Sequence, residues 1–198
     1  RRRETETELE ARAREMEITG YLTQLDRMRR QGAAVAAFTS RPQAGDVVRL
    51  LHLVAHGGDV DQAGRQPNIL ERVPDGEAFH FLDPGARSAL FISPRSVNHG
   101  RYAPAGHEIT FFYANVAAEG EDPIVARVEL PVWAAESPDL LPLVHGAVVA
   151  QSRIAGGFPY VLARADELAY ISGPERQRLE ELVSTALLAA GVPPALSY

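Results

Sequence analysis

The chain contains neither cysteine nor lysine. Without cysteine there is no disulfide, thiolate-bound zinc, iron–sulfur cluster or cysteine nucleophile. Without lysine, Walker-type phosphate binding and Schiff-base catalysis are excluded, because both need an amine. All 20 basic residues are arginine, so the binding of any anion depends on guanidinium groups or backbone amides. The lack of cysteine fits a reducing compartment, and we expect a cytoplasmic protein.

Long apolar runs and an excess of positive charge are also missing. No stretch approaches the run of about 18 apolar residues that a membrane-spanning helix needs, so no membrane partner is expected. The 198 residues carry a net charge of −6, whereas proteins that coat nucleic acid are usually basic. Hydrophobic residues make up 45% of the chain, enough to bury a core in a single domain spanning residues 1–198. If the chain binds DNA, we therefore expect it to do so through a local arginine-lined groove or a metal-centred cleft.

Apolar spacing in the first part of the chain is typical of an α/β protein. Spacings of three and four predict a helix over residues 1–30, with Gly20 as a possible break. The apolar run at 33–39 predicts a buried strand. Asp46 is expected to cap a helix over residues 47–54. Residues 56–78 are rich in glycine, proline and polar side chains, which predicts an irregular excursion within the domain.

The second half of the chain reads as strands followed by helices. Three strands with short links, at 89–93, 107–116 and 124–133, predict an antiparallel meander. Arg127 and Glu129 share one face of the third strand, as an ion pair or as the wall of a site, and their spacing favours the ion pair. Three helices follow, and Ser172 to Glu175 predicts a capping box before the last of them.

Asp166 lies on the second of these helices, in an otherwise short and apolar segment. A carboxylate packed against a sheet costs free energy unless it is exposed or paired with a cation. The residues alone leave two interpretations: a solvent-facing side chain beside Glu167, which is the commoner case, or one corner of a cation site.

Six segments, in this order along the chain, resemble the NurA nuclease domain of the enzymes that process DNA double-strand ends. These segments are AAVAAFTSRPQAGDVVRLL (33–51), GARSALF (85–91), ITFFYANV (109–116), VARVELPVW (125–133), GGFPYVLARADELAYI (156–171) and ALSY (195–198). The resemblance implies an RNase H-like α/β fold, a mixed sheet flanked by helices, of which this chain covers part.

The resemblance also implies an activity and partners. Such enzymes are divalent-metal nucleases, typically dependent on manganese, with magnesium as the alternative. They act on double-strand ends and single-stranded DNA, as 5′-to-3′ exonucleases and single-strand endonucleases in end resection. The resemblance further implies a homodimer that docks on a hexameric HerA-type ATPase. In this class of chemistry, carboxylates hold metal ions that activate water and stabilise the leaving oxygen.

Carried over position by position, the resemblance implies roles for five residues. Asp166 matches the metal-binding position on the helix after the Gly-Tyr-Pro segment of the family, and is expected to be catalytic. Arg41, Arg87 and Arg127 match recurrent arginines, which we expect to contact DNA phosphates or to support the site. Tyr160 matches the Pro-Tyr pair, and is expected to be either a structural residue or one of the DNA-binding residues.

The family's first-strand Asp-Gly-Ser and its later Asp-Gly strand have no counterpart, since Asp75-Gly76 in the predicted excursion is the only Asp-Gly pair. Because the chain does not begin with Met, we expect an N-terminal portion with the catalytic strand to lie outside it. This polypeptide alone is therefore predicted to be inactive. The alternative is a non-catalytic relative, a module that dimerises and binds the ATPase.

Overall fold

The computed structural model describes residues 2–191, with side chains from residue 10 onward. The chain forms two compact units, of which the first ends at Tyr160 and the second begins at Val161. Asp166 lies in the second unit, and the other four predicted site residues lie in the first. The predicted ALSY segment lies outside the described residues. The prediction of a single domain stays a prediction.

A four-stranded antiparallel sheet forms the centre of the first unit. Its strands are β1 (Ala37–Thr39), β2 (Phe91–Ile92), β3 (Ile109–Asn115) and β4 (Val125–Pro131), in the order β1-β4-β3-β2. The predicted α/β class and the meander β2-β3-β4 are confirmed. The predicted mixed sheet is wrong for the described residues, because β1 adds to β4 in the antiparallel sense. The RNase H-like assignment stays a prediction.

Strict alternation along β3 and β4 gives the sheet two different faces. On one face, α5 (Val132–Ala135) and α6 (Leu140–Ile154) cover a core that includes Phe112 and Val128. On the other face, Phe111, Tyr113 and Val125 pack against Val47, with Phe79 and Phe91 at the margin. The polar side chains of Arg127 and Glu129 therefore share the second face with aromatic rings.

The first strand differs from its prediction. Residues 33–39 were expected to form a buried strand, but only the last three pair with β4, and their exposure alternates from exposed to half-buried. A wholly apolar run is typical of a central strand. Here the run lies at the edge of the sheet, where one side has no strand partner among the described residues.

A long helix, α1 (Arg2–Arg30), continues through Gly20 without the expected break. Leu25 is buried, while Met16 and Tyr21 are exposed. Asp26 on α1 lies 3.2 Å from the buried ring of His107, measured from Oδ1 to Nε2. This contact joins α1 to the segment that leads into β3.

Residues 56–78 contain two short helices where the sequence predicts an irregular excursion. These are α3 (Val60–Arg65) and α4 (Asp75–Ala78), which follow α2 (Asp46–Ala55). Asp75 and Gly76 are buried. In α2 the buried residues are Val47 and Val48, whereas the apolar residues Leu50, Leu51 and Val54 are exposed.

The last helices of the described residues are α7 (Tyr160–Leu168) and α8 (Gly173–Ala189). The predicted capping box is confirmed, because the backbone N–H and the hydroxyl of Ser172 both donate to Glu175 Oε2, at 2.9 and 2.7 Å. Neither α7 nor α8 contains a buried residue. Within residues 2–191, no helix combines the length and the apolar character that crossing a bilayer requires.

Candidate functional site

A network of buried and partly buried polar side chains surrounds Arg127 in the first unit. We use the name Arg127 cluster for Asp46, Asp75, Tyr113, Arg127 and Glu129. The Arg127 side chain is 4% exposed, and its Nη1 and Nε atoms donate to Asp46 Oδ2 and Glu129 Oε1, each at 2.8 Å. The ion pair that the sequence predicts between Arg127 and Glu129 is thus confirmed, and a second carboxylate joins it.

The Phe111 ring completes the surroundings of the guanidinium. The Arg127 Cζ atom lies 3.6 Å from the ring centroid, close enough for a strong cation–π contact. Strand register explains this arrangement, because Phe111 lies opposite Glu129 and Tyr113 lies opposite Arg127 across the β3–β4 ladder. The guanidinium is therefore held between an aromatic face and two carboxylates.

Asp75 ties the start of α2 to the same cluster. Its carboxylate accepts hydrogen bonds from the Val47 and Val48 amides, at 3.0 and 2.9 Å, and from the Tyr113 hydroxyl, at 2.7 Å. Asp46 was expected to cap this helix, but Gly45 occupies the N-cap position and Asp46 lies in the first turn. Asp75 supplies the cap from a distant point in the sequence, so the Asp46 side chain is left to pair with Arg127.

The cluster shifts two pKa values. Burial alone would lower the pKa of Arg127, but its hydrogen bonds to Asp46 and Tyr113 and the charge of Glu129 raise this pKa above its ordinary value. Burial and the hydrogen bond to Asp75 raise the pKa of the Tyr113 hydroxyl well above its ordinary range. Arg127 therefore stays a cation and Tyr113 stays a neutral donor at any physiological pH.

The carboxylates of the Arg127 cluster do not fit a divalent metal in this arrangement. Asp75 already accepts three hydrogen bonds, and Asp46 and Glu129 both bind the same guanidinium. No group of three or more histidine and acidic side chains suited to a metal ion occurs among residues 10–191. The positive charge at this position is supplied by the protein itself.

Arg87 lies on the opposite face of the sheet. It is half-buried, its Nη1 donates to the Ser88 carbonyl at 2.9 Å, and its Cζ lies 5.6 Å from the Phe112 ring centroid. The His145 ring meets Phe112 edge-on, with the centroids 5.9 Å apart. Arg87 and Arg127 are thus separated by the sheet and do not share a surface.

His145 should make stability depend on pH. Its burial and the charge of Arg87 lower its pKa from the ordinary 6.5, although a hydrogen bond with the Gly85 backbone raises it. Below pH 6.5 the unfolded state then binds more protons than the folded state, so stability falls as pH decreases from about 7 towards 5. In His145→Gln, the free energy of unfolding measured by urea titration should depend less on pH over this range. His99→Gln, which changes an exposed histidine, should keep the pH dependence of the wild type. An unchanged pH dependence in His145→Gln would contradict the role given to His145.

The NurA domain family matches residues 13–171, about four fifths of the chain. The chain belongs to the NurA family. No curated protein and no solved structure matches the chain. NurA proteins are a nuclease family, and the matched span contains the whole Arg127 cluster and all five predicted site residues.

Three other site residues expected from the NurA resemblance, Arg41, Tyr160 and Asp166, are at the surface. Arg41 follows β1 and lines an open cavity of about 740 Å³ together with His80 and Gly157. Tyr160 begins α7 and is 45% exposed. Asp166 is exposed on α7, beside the exposed ion pair of Arg164 with Glu167. Arg127 is the one predicted site residue that belongs to the Arg127 cluster.

Asp46, Asp75 and Tyr113 of the Arg127 cluster were not predicted as site residues. Asp75-Gly76 has the composition of a turn, and turns are usually solvated. In β3, Tyr113 follows Ile109 and Phe111 on the face that it shares with Arg127 and Glu129 once β3 and β4 pair. The strand register places Tyr113 opposite Arg127, and the packing of α2, capped by Asp75, adds Asp46. The sequence states neither arrangement.

Proposed function

We propose that this protein is a metal-dependent DNA nuclease that acts in the resection of double-strand ends. The finer activity proposed is 5′-to-3′ exonuclease and single-strand endonuclease cleavage, with Mn²⁺ or Mg²⁺ as the metal. The proposed setting is a cytoplasmic homodimer with a HerA-type ATPase. The observation that carries the proposal is the family match over residues 13–171, which runs to the end of the Asp166 helix.

Two surface features support a role on DNA. Arg41 is exposed beside an open cavity, where a guanidinium is free to bind phosphate. Asp166 is an exposed carboxylate, the hard oxygen ligand that Mn²⁺ and Mg²⁺ prefer. When bound, such a metal would activate water and polarise the phosphodiester. The remaining ligands would have to come from outside the Arg127 cluster, whose carboxylates already have partners.

The nuclease proposal is tested by Asp166→Ala in the protein as its gene encodes it. We expect manganese-dependent cleavage of single-stranded DNA to fall by about 100-fold or more, because a metal ligand is lost. Stability should change by less than about 0.5 kcal/mol, since Asp166 is exposed on a helix. The matched control is Glu167→Ala, which removes a neighbouring exposed carboxylate and should keep full activity.

One result would contradict the catalytic role of Asp166, and another would contradict the expected inactivity of this polypeptide. Cleavage retained in Asp166→Ala would remove Asp166 from the mechanism. Ordinary cleavage rates from the 198-residue chain alone with manganese would contradict the expectation that this polypeptide is inactive by itself.

A second candidate is a non-catalytic module of the same family. Arg127 favours it, because this guanidinium binds two carboxylates that a metal could otherwise use. Such a module would dimerise and bind an ATPase partner without cutting DNA. One measurement separates the two candidates, namely whether the encoded protein cleaves DNA in the presence of manganese.

A further inference from the structure

We propose that Arg127 is the resident cation of the Asp46 and Glu129 carboxylates, and that it excludes divalent metal from this cluster. The inference concerns this site alone and does not depend on whether the protein cleaves DNA. It assigns Arg127 to a place that an ion could otherwise fill, rather than to a DNA surface.

The contacts of the guanidinium support this assignment. Two of its nitrogens, Nη1 and Nε, each lie 2.8 Å from a different carboxylate, so one group bridges Asp46 and Glu129. The Phe111 ring covers one face of it. A metal ion would compete for the same carboxylate oxygens and would be repelled by the permanent positive charge of Arg127.

The carboxylates can be reached from solvent, so exclusion does not follow from burial alone. Asp46 and Glu129 side chains are 11% and 30% exposed, and they line two different surface cavities. Arg49 also binds Asp46, through the Oδ1 oxygen, but its side chain is 69% exposed and faces solvent. Removing Arg127 would leave the Asp46 and Glu129 carboxylates without their buried cation.

Charge and geometry then predict a gain of function. With Arg127 replaced by alanine, two carboxylates lose their partner and a space opens between them. A divalent cation with hard oxygen ligands and its own water molecules suits that space. The same substitution should therefore create metal binding that the wild type lacks.

The test measures Mn²⁺ binding by electron paramagnetic resonance and by calorimetry, with Mn²⁺ alone as the probe. Arg127→Ala should bind one Mn²⁺ per chain more than the wild type, or bind it about tenfold more tightly. Adding Asp46→Asn to Arg127→Ala should abolish the gain. Arg127→Lys, which keeps the cation, is the matched control and should show no gain.

Equal Mn²⁺ binding by the wild type and by folded Arg127→Ala would overturn the proposal. If Arg127→Ala does not fold, the wild type is compared with Asp46→Asn. Equal stoichiometry in these two proteins supports exclusion, whereas loss of one Mn²⁺ in Asp46→Asn shows that the wild-type cluster already binds metal. Because the readout is metal binding, a failure here is distinct from a failure of the nuclease assay.

Discussion

Replacing Asp75 with alanine is expected to lower the free energy of unfolding by about 3–5 kcal/mol. Asp75 is fully buried and accepts hydrogen bonds from two amides of α2 and from the Tyr113 hydroxyl. Alanine would leave all three donors without a partner in a place that water does not reach. It would also remove negative charge from the N-terminus of α2, where the helix dipole favours it.

Two variants show whether the loss comes from this network. Glu77→Ala changes an exposed carboxylate on the same short helix, and its effect should stay within about 0.5 kcal/mol. Tyr113→Phe removes one of the three hydrogen bonds and should cost about 1 kcal/mol. Urea denaturation monitored by circular dichroism gives all three values. If Asp75→Ala unfolds at the same urea concentration as Glu77→Ala, the hydrogen bonds that Asp75 accepts do not stabilise the fold.

The Asp75 contacts show where sequence patterns stop being informative. Alternation in β3 and β4 predicts the meander, because each side chain meets the core at every second residue. The capping box at Ser172 is also local, since both partners lie within four residues. Asp75 reaches residues that lie 27, 28 and 38 positions away, and no short-range pattern encodes those contacts.

Helical periodicity shows a second boundary of prediction. The apolar residues of α8 recur at helical spacing, yet Leu179, Leu182 and Val183 are all at least half exposed. Periodicity predicts which side of a helix is apolar but not what covers that side. The same holds for α2, in which only Val47 and Val48 are buried. Val47 packs against the aromatic face of the sheet.

The candidate site also contains one contact that the sequence predicts and one that only the tertiary structure creates. The ion pair of Arg127 with Glu129 is predictable because the two residues are two apart on one strand. Asp46 joins them only because α2 packs on that face of the sheet, after Asp75 has capped it. The resemblance placed Arg127 among the DNA-binding residues, whereas its position in the structure gives it two carboxylate partners inside the protein.

Replacing Arg127 with methionine is expected to destabilise the protein by about 3–5 kcal/mol, because two partly buried carboxylates lose their cation. Methionine keeps most of the apolar stem, so the loss reports the charge rather than a cavity. Arg49→Met, which removes the exposed partner of Asp46, should change stability by less than about 0.5 kcal/mol. Urea titrations of both variants provide the comparison.

A third protein, Arg127→Met with Asp46→Asn and Glu129→Gln, decides whether repulsion between uncompensated carboxylates causes that loss. Neutral amides in place of both charges should recover at least about 1 kcal/mol relative to Arg127→Met, since residues of one network are not additive. If the triple variant is no more stable than Arg127→Met, the guanidinium contributes by packing on Phe111 rather than by charge. If the triple variant regains stability, the charge of Arg127 is needed because it compensates the carboxylates of Asp46 and Glu129.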